Sequence, residues 1–340
     1  MATLLANMFL ELDMCRLKEA ISAQFIIKNE PLGFFVRHFK KMAIPSHNLY
    51  YSKDFVLSKD NFDTTRKAGW VAENLINNPL PGVLLEEPSQ ASMKVVSQVH
   101  SEDYLAALKM GFPADLANSA NIAWDKQTFS RALSTCGGML AAGRSALKSG
   151  VSGCLASGFH HARRDRGGGY CTLNGLAVSA HTLVESCKHI LIIDLDAHCG
   201  GGTHSLIKDH PQLWQIDVSV NDYDRYTPGL RCQFCIVTNA GRYLQTIWEC
   251  LNQAEEEWPH FDLCFYNAGM DVHEDCANGG LNGFDEFIIT LREEMVFQWC
   301  AERRLPVAYC LAGGYIGKRM SQRKLVDLHR LTISSASNNS

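Results

Sequence analysis

The chain has 340 residues, of which 46% are apolar and 20% charged, with a formal net charge of −4 and a pI near 6.3. A chain of this size and composition can bury its core as one large α/β domain or two small ones. Because it has no long run of like charges, we expect no direct nucleic-acid or membrane partner. Glu11 and Asp13 stand where a signal peptide would need apolar residues, so we expect residence in the cytosol or the nucleus.

Residues 1–44 carry apolar side chains at helical spacing and a basic stretch before Pro45, which predicts an N-terminal extension or helical cap. From residue 45 to 333, β-rich runs alternate with longer periodic segments, which predicts βαβ units and a mostly parallel sheet. The predicted strands are Val83–Leu85, Gly153–Ala156, His189–Asp194, Leu213–Val220, Phe261–Asn267 and Leu305–Leu311, and the predicted helices include Ala132–Lys148, Leu176–Ser186, Ala240–Glu257 and Phe284–Ala301. Residues 334–340 are small and polar, and we expect a disordered tail there.

The thirteen cysteines are scattered along the chain and do not form the framework of a small secreted protein. A reducing compartment is therefore expected. Cys232 and Cys235 form an isolated C-x-x-C without a second pair, so a zinc or redox role for them is the weaker interpretation.

One predicted strand leads directly into a run of polar side chains. Four successive apolar residues precede Asp194, Asp196 and His198. Functional groups gather at the carboxyl ends of parallel strands, and alternate residues point the same way. The D-x-H pattern therefore offers a carboxylate and an imidazole to one metal ion. Alternatively, the two aspartates only cap the next helix, but two buried carboxylates are costly without a cation or donor cluster.

Three further strand ends supply side chains for such a site. Asp271 would be a third ligand, since three protein ligands and an open position make a catalytic zinc site. His160 and His161 could serve as general base and electrostatic partner to an activated water. Tyr315, which follows a Gly-Gly pair, could donate to a developing oxyanion. Taken alone, each of these residues is more often structural; their shared edge of the sheet favours a functional role.

Several motifs follow one another between about Asn48 and Ile333: VHSEDYL at 99–105, TCGGMLAAGRSAL at 135–147, SGFHHARRDRGGGYCTLNGLAVS at 157–179, IIDLDAH at 192–198 and LVDLHRLT at 325–332. In this order they resemble the histone deacetylase family, which has an arginase-like fold. The DRGGG and DLDAH forms are closest to class IV deacetylases and their bacterial relatives. The resemblance implies an α/β fold of a single domain in three layers, α/β/α, around a mostly parallel sheet.

The resemblance also implies roles for individual residues. The ligands of one Zn²⁺ per chain would be Asp196, His198 and Asp271. The catalytic side chains would be His160, His161, Tyr315 and, orienting His160, Asp194. Gly169 and Tyr170 would line a narrow acyl-lysine tunnel, and Asp103 would contact the substrate at its mouth. A structural K⁺ site that includes Asp194 is implied as well.

The chain departs from the family pattern after the D-x-H. Relatives have His or Gln, then Gly, then Asp or Asn, whereas this chain has Cys199, Gly200 and Gly201. The side chain that normally holds the second histidine is therefore missing. We expect a water or a neighbour such as His204 to replace it, or His161 to be held loosely. The segment from 223 to 242 also looks short, which leaves one tunnel wall and the substrate rim unassigned.

The sequence thus predicts zinc-dependent hydrolysis of an N-acyl lysine, acetyl or longer, in a protein or peptide. One alternative is a small acylated amine such as an acetylpolyamine, with Glu102 and Asp103 as acids at the tunnel mouth. Another is a catalytically impaired protein that binds acyl-lysine, because of Gly201. Ureohydrolases share D-A-H but need an acid two residues after that histidine, where this chain has Gly200.

Overall fold

The computed structural model describes residues 46–56 and 66–339. Within them, short strands alternate with helices along the chain. The strands are β1 His47–Tyr50, β2 Val83–Glu86, β3 Val151–Cys154, β4 Ile190–Asp194, β5 Leu213–Ser219, β6 Cys232–Ile236, β7 Leu263–Ala268 and β8 Val307–Leu311. The α-helices are α1 Lys67–Asn77, α2 Met93–Val96, α3 Glu102–Met110, α4 Ala114–Ala117, α5 Thr128–Ser149, α6 Gly175–Leu183, α7 Gly201–Ile207, α8 Ala240–Glu257, α9 Glu286–Glu302 and α10 Gln322–Asn338.

The eight described strands form one sheet in the order β2-β1-β3-β8-β7-β4-β5-β6. Every neighbouring pair is parallel, which confirms the predicted parallel sheet. Strands β3, β4, β5, β7 and β8 are buried along their whole length. Burial on both faces explains their nearly continuous apolar sequences, since crossover helices cover a parallel sheet on both sides.

The helices pack in two groups. One group contains α3, α5, α6 and α7, and the other contains α1, α8, α9 and α10. Helix α5 packs against strands β1, β3 and β8, while α10 packs against β3 and α8 against β5. This arrangement is the predicted three-layer α/β/α fold, and it brings the carboxyl ends of β3, β4, β7 and β8 to one edge.

Two strands were not predicted from the sequence. Strand β1, HNLY, is only four residues long, with burial that alternates along it, and it pairs with β2 on one side and β3 on the other. Strand β6, CQFCI, lies at the sheet edge and is half-buried throughout. In both cases the neighbouring strand, rather than a local apolar run, makes the segment extended. No helix in the described part of the chain is long and apolar enough to cross a bilayer.

The C-terminal segment differs from its prediction. Residues 334–338 form the last turns of α10 rather than a disordered tail. Ser335 and Ala336 are buried, and Ser337 Oγ donates to the Pro81 carbonyl at 2.7 Å. Small side chains allow this close approach of the helix to its neighbours, which composition alone could not reveal. The predicted cap at residues 1–44 lies outside the described residues.

Replacing Ala336 by Asp tests this correction. A carboxylate at this fully buried position would lack a partner, so we expect Ala336→Asp to lower the free energy of unfolding by on the order of 2 kcal/mol or more. Denaturant unfolding measures this change. Asn338→Asp, on the exposed side of the same turn, is the control. Equal stabilities of the two variants would mean that this segment is frayed.

Candidate active site

The carboxyl ends of β4 and β7 bring together two aspartates and a histidine. Candidate ligand atoms of Asp196, His198 and Asp271 all lie within 4.8 Å of one another, and all three side chains are buried. His198 Nδ1 is 3.1 Å from Asp196 Oδ1 and 3.2 Å from Asp271 Oδ2. The structure thus places the three predicted metal ligands in one cluster.

The chemistry of this cluster fits a divalent cation. Asp271 Oδ2 is buried and has no well-aligned hydrogen-bond donor among the described residues. Burial and the neighbouring Asp196 carboxylate raise the pKa of Asp271 above its usual value. Burial opposes ionisation of Asp196 as well, but His160 and His198 hold its pKa well below the usual range. A cation between the carboxylates would bind this oxygen and offset their repulsion.

Gly313 lets the backbone after β8 approach the ligand cluster. Its N–H donates to Asp196 Oδ2 at 2.6 Å. A Cβ at this position would lie 1.8 Å from Asp271 Oδ2 and 2.6 Å from Asp196 Oδ2. Only glycine fits this approach. Lys67, buried on α1, donates to the carbonyl of the preceding residue, Ala312, and so anchors the same segment.

The two predicted catalytic histidines lie beside the cluster. His160 Nδ1 is 2.9 Å from Asp194 Oδ2, and its Nε2 is 3.7 Å from Asp196 Oδ1. Asn267 donates to the other Asp194 oxygen at 2.8 Å. The rings of His160 and His161 have centroids 3.9 Å apart and are tilted by 37° relative to each other. Asp194 therefore contacts His160 as the resemblance implied.

His161 has a different partner from those expected. Its Nδ1 lies 3.0 Å from Oδ2 of Asp224, in the loop between β5 and β6. Of the expected alternatives, a neighbouring group replaces the missing side chain, but that group is Asp224 rather than His204. His204 instead stacks on Tyr226 with centroids 4.3 Å apart. The local signal, an acid after a strand, did not reveal which side chain Asp224 would contact, since the two residues are 63 positions apart.

The environments of the two histidines favour opposite charge states. Burial opposes a charge on His160, but Asp194 and Asp196 outweigh it and raise its pKa to about 10. Burial and the adjacent His160 lower the pKa of His161 to about 4, against the opposing effect of Asp224. Burial and the carboxylates of Asp271 and Asp196 raise the pKa of Tyr315. His161 is therefore uncharged near neutral pH, and Tyr315 keeps its hydroxyl proton.

Of the residues predicted to contact the substrate, Gly169 and Tyr170 lie beside the catalytic side chains, whereas Asp103 does not. Tyr315 and Tyr170 face each other with ring centroids 6.5 Å apart, and Gly169 packs so close to His161 that a Cβ would meet its ring at 2.3 Å. Tyr223, which was not predicted, packs edge-on against His161 with ring centroids 4.9 Å apart. Asp103 lies exposed in the first turn of α3, without contact to the ligand cluster in the described residues.

Arg292 is a further residue that sequence reasoning missed. This fully buried side chain on α9 donates to the carbonyls of Leu195 at 3.1 Å and Gly269 at 2.7 Å, and it pairs with Glu293. These carbonyls lie just before the ligands Asp196 and Asp271. Arg292 therefore links the ends of β4 and β7 through its hydrogen bonds to both. In the sequence Arg292 stands beside Glu293 and Glu294, so no local pattern marked it as buried.

The isolated C-x-x-C does not form a pair. Cys232 and Cys235 lie three residues apart on β6, so their side chains point to opposite faces. Cys232 Sγ contacts the Tyr226 hydroxyl at 3.4 Å. Among the described residues, the group of side chains that could hold a metal ion is Asp196, His198 and Asp271.

An open parallel sheet that carries an Asp-His-Asp cluster and a histidine pair at its carboxyl edge defines the arginase and deacetylase class of α/β proteins. The chain belongs to the histone deacetylase domain family, whose pattern it matches over residues 62–327. That family membership makes it a deacetylase-type hydrolase.

Relatives and solved structures agree with this assignment. "Histone deacetylase 2" of Arabidopsis thaliana is 28% identical over 78% of this chain and 72% of its own length. An uncharacterized protein of Picosynechococcus is 30% identical over 69% of this chain and 83% of its own. The HDA15 HD domain has a TM-score of 0.68 at 16% identity, covering 87% of this chain and 90% of that one. An acetylpolyamine aminohydrolase from Burkholderia pseudomallei has the same TM-score at 17% identity, covering 86% and 98%. At these identities, the structural matches show the fold alone.

Replacing Gly313 by Ala should weaken metal binding. The added Cβ would push Asp271 and Asp196 out of position, so we expect metal affinity to fall by at least about tenfold. Titration against a competing chelator measures the affinity. Gly317→Ala is the control, since a Cβ there would have its nearest neighbour at 3.9 Å. An unchanged affinity of Gly313→Ala would contradict the ligand assignment.

Proposed function

We propose that the chain is a zinc-dependent amidohydrolase that removes acyl groups, acetyl or longer, from lysine side chains of proteins or peptides. The observation that carries the proposal is the meeting of the Asp196–His198–Asp271 cluster with His160, His161 and Tyr315. One cavity reaches His160, Asp196 and Tyr315. Two carboxylates and an imidazole, with room for a further ligand, form the donor set of a catalytic zinc site.

Each catalytic side chain has its own role in amide hydrolysis. Bound zinc would supply Lewis-acid chemistry, by which water is activated and the amide carbonyl polarised. Neutral His161 takes the proton that water loses as its oxygen bonds to the carbonyl carbon. The same proton then passes to the nitrogen as the C–N bond breaks, giving an amine and a carboxylic acid. Tyr315 donates a hydrogen bond to the developing oxyanion, and positively charged His160 adds favourable electrostatics.

The cavity supports a lysine-type substrate and acyl groups larger than acetyl. Gly169, Tyr170 and Tyr315 line the cavity together with His160, and a slender alkyl chain would lie against the two tyrosine rings. Phe55, Ile122 and Leu173 give the same cavity apolar lining, which would contact a longer acyl chain. Acetylated polyamines are the second candidate, because Glu102 and Asp103 are exposed acids on one helical turn.

A structural cation beside the active site is part of the proposal. Asp194 and Asp217 are register neighbours on β4 and β5, and both are fully buried. Burial and the nearby Asp194 raise the pKa of Asp217 to about 7. A monovalent cation such as K⁺ near this pair would offset the repulsion between the two carboxylates.

A substrate panel tests the function. Lysine peptides carrying acetyl to long fatty acyl groups, and acetylpolyamines, should be assayed with and without a chelator. We expect hydrolysis of acyl-lysine peptides, faster for at least one longer acyl group than for acetyl, complete loss on chelation and recovery with Zn²⁺. Metal analysis should give one zinc per chain. Full activity after exhaustive chelation, or hydrolysis of polyamines alone, would contradict the proposal.

Tyr315→Phe isolates the oxyanion donor. Removing this one hydroxyl should lower kcat by roughly 10² to 10³ with zinc content unchanged, as expected for the loss of a single oxyanion donor. Tyr223→Phe, which removes the same atom from a half-exposed ring beside His161, should change kcat little. A decrease below about threefold in Tyr315→Phe would mean that the hydroxyl is only structural.

A further inference from the structure

The loop after β5 fits against the start of α7 in a way that depends on Gly201. A Cβ at Gly201 would lie 2.3 Å from the Asp224 carbonyl oxygen and 2.9 Å from its Cγ. A backbone hydrogen bond also holds the loop, since the Cys199 N–H donates to the Tyr223 carbonyl at 3.0 Å. A side chain at position 201 and the present position of Asp224 are therefore mutually exclusive.

The Asp224 carboxylate is held by several donors. Its Oδ2 accepts from His161 Nδ1 at 3.0 Å and from the Gly202 N–H at 3.1 Å, and its Oδ1 pairs with Arg163. Arg163 also donates to the Gly201 carbonyl at 3.0 Å. Asp224 has φ of +61°, a conformation that Asp adopts more readily than most residues. Its oxygen toward His161 is thus fixed in place.

We propose that Asp224 is the positioning residue of His161, and that Gly201 is glycine because Asp224 fills the space a side chain would need. A carboxylate on Nδ1 fixes the proton on that nitrogen and leaves Nε2 as the free base. Asp224 is thereby the residue through which the β5–β6 loop contributes to the active site. The inference rests on the proposed function, in which His161 moves the proton.

Three variants test the role of Asp224 in turnover. Asp224→Gly removes the carboxylate without strain at positive φ and should lower kcat roughly 10²-fold on the best substrate of the panel. Asp224→Asn should stay within about tenfold of wild type. Its amide oxygen can face the two fixed donors, His161 and Gly202, while its NH₂ displaces the half-exposed Arg163. Asp222→Gly, at an exposed position of the same loop, is the control and should change kcat little. Equal losses in Asp224→Asn and Asp224→Gly would indicate that only the ion pair with Arg163 matters.

A spectroscopic measurement is independent of turnover. In the zinc-loaded, ¹⁵N-histidine-labelled protein, the Nδ1 proton of His161 should give a downfield, slowly exchanging NMR signal, assigned by its loss in His161→Ala. The signal should vanish in Asp224→Gly and also in Gly201→Ala, where the new Cβ displaces Asp224. It should persist in Asp224→Asn and Asp222→Gly. Zinc content and melting temperature should match those of the control.

Two results would overturn the inference: a signal that survives in Asp224→Gly, or equal kcat values of Asp224→Gly and Asp222→Gly. An NMR signal unchanged in Gly201→Ala would show that a side chain at position 201 does not displace Asp224, and would refute that part of the inference. If wild type hydrolyses no member of the panel, the proposed function fails, and the NMR signal still decides whether Asp224 holds His161.

Discussion

Two buried carboxylates at neighbouring strand ends are the constraint on which the rest of this structure depends. Asp196 and Asp271 are nearly inaccessible to solvent and both lie about 3 Å from the His198 ring. Burying two acids so close together is unfavourable unless cations and hydrogen-bond donors compensate. The surrounding residues supply such compensation from several directions. The backbone N–H groups of Ala197 and Gly313 donate to the two carboxylates, and Arg292 fixes the strands beneath them.

Close approach of the backbone is the second requirement of this arrangement. The Gly313 N–H can reach Asp196 only because this residue has no Cβ, which would collide with Asp271. The same logic applies at Gly202, where a Cβ would lie 2.4 Å from the backbone of His161. The active site therefore requires glycine at positions 313 and 202 as well as its functional side chains. A side chain at either position would move the groups that hold the site together.

The histidine pair shows how the fold can give two identical side chains different roles. His160 lies between two carboxylates, whereas His161 has one carboxylate partner and the charge of its neighbour beside it. Burial acts against charge on both rings, so the number of nearby acids decides which one is protonated. The two acids that orient the rings come from different elements, Asp194 from the end of β4 and Asp224 from the β5–β6 loop. This asymmetry is a property of the packing rather than of the HH dipeptide.

The sequence by itself determined the parallel α/β fold, the strands that carry the site and the polar residues at their ends. These features follow from local patterns, since apolar runs that end in Asp or His define both a strand and its functional edge. The short strand β1, the edge strand β6 and the ordered end of α10 could not be predicted, because they are stabilised by neighbours distant in the chain. Only the tertiary structure decided which acid contacts His161. The glycine at 201 indicates a missing side chain, but the replacement comes from a loop whose position depends on packing against that glycine.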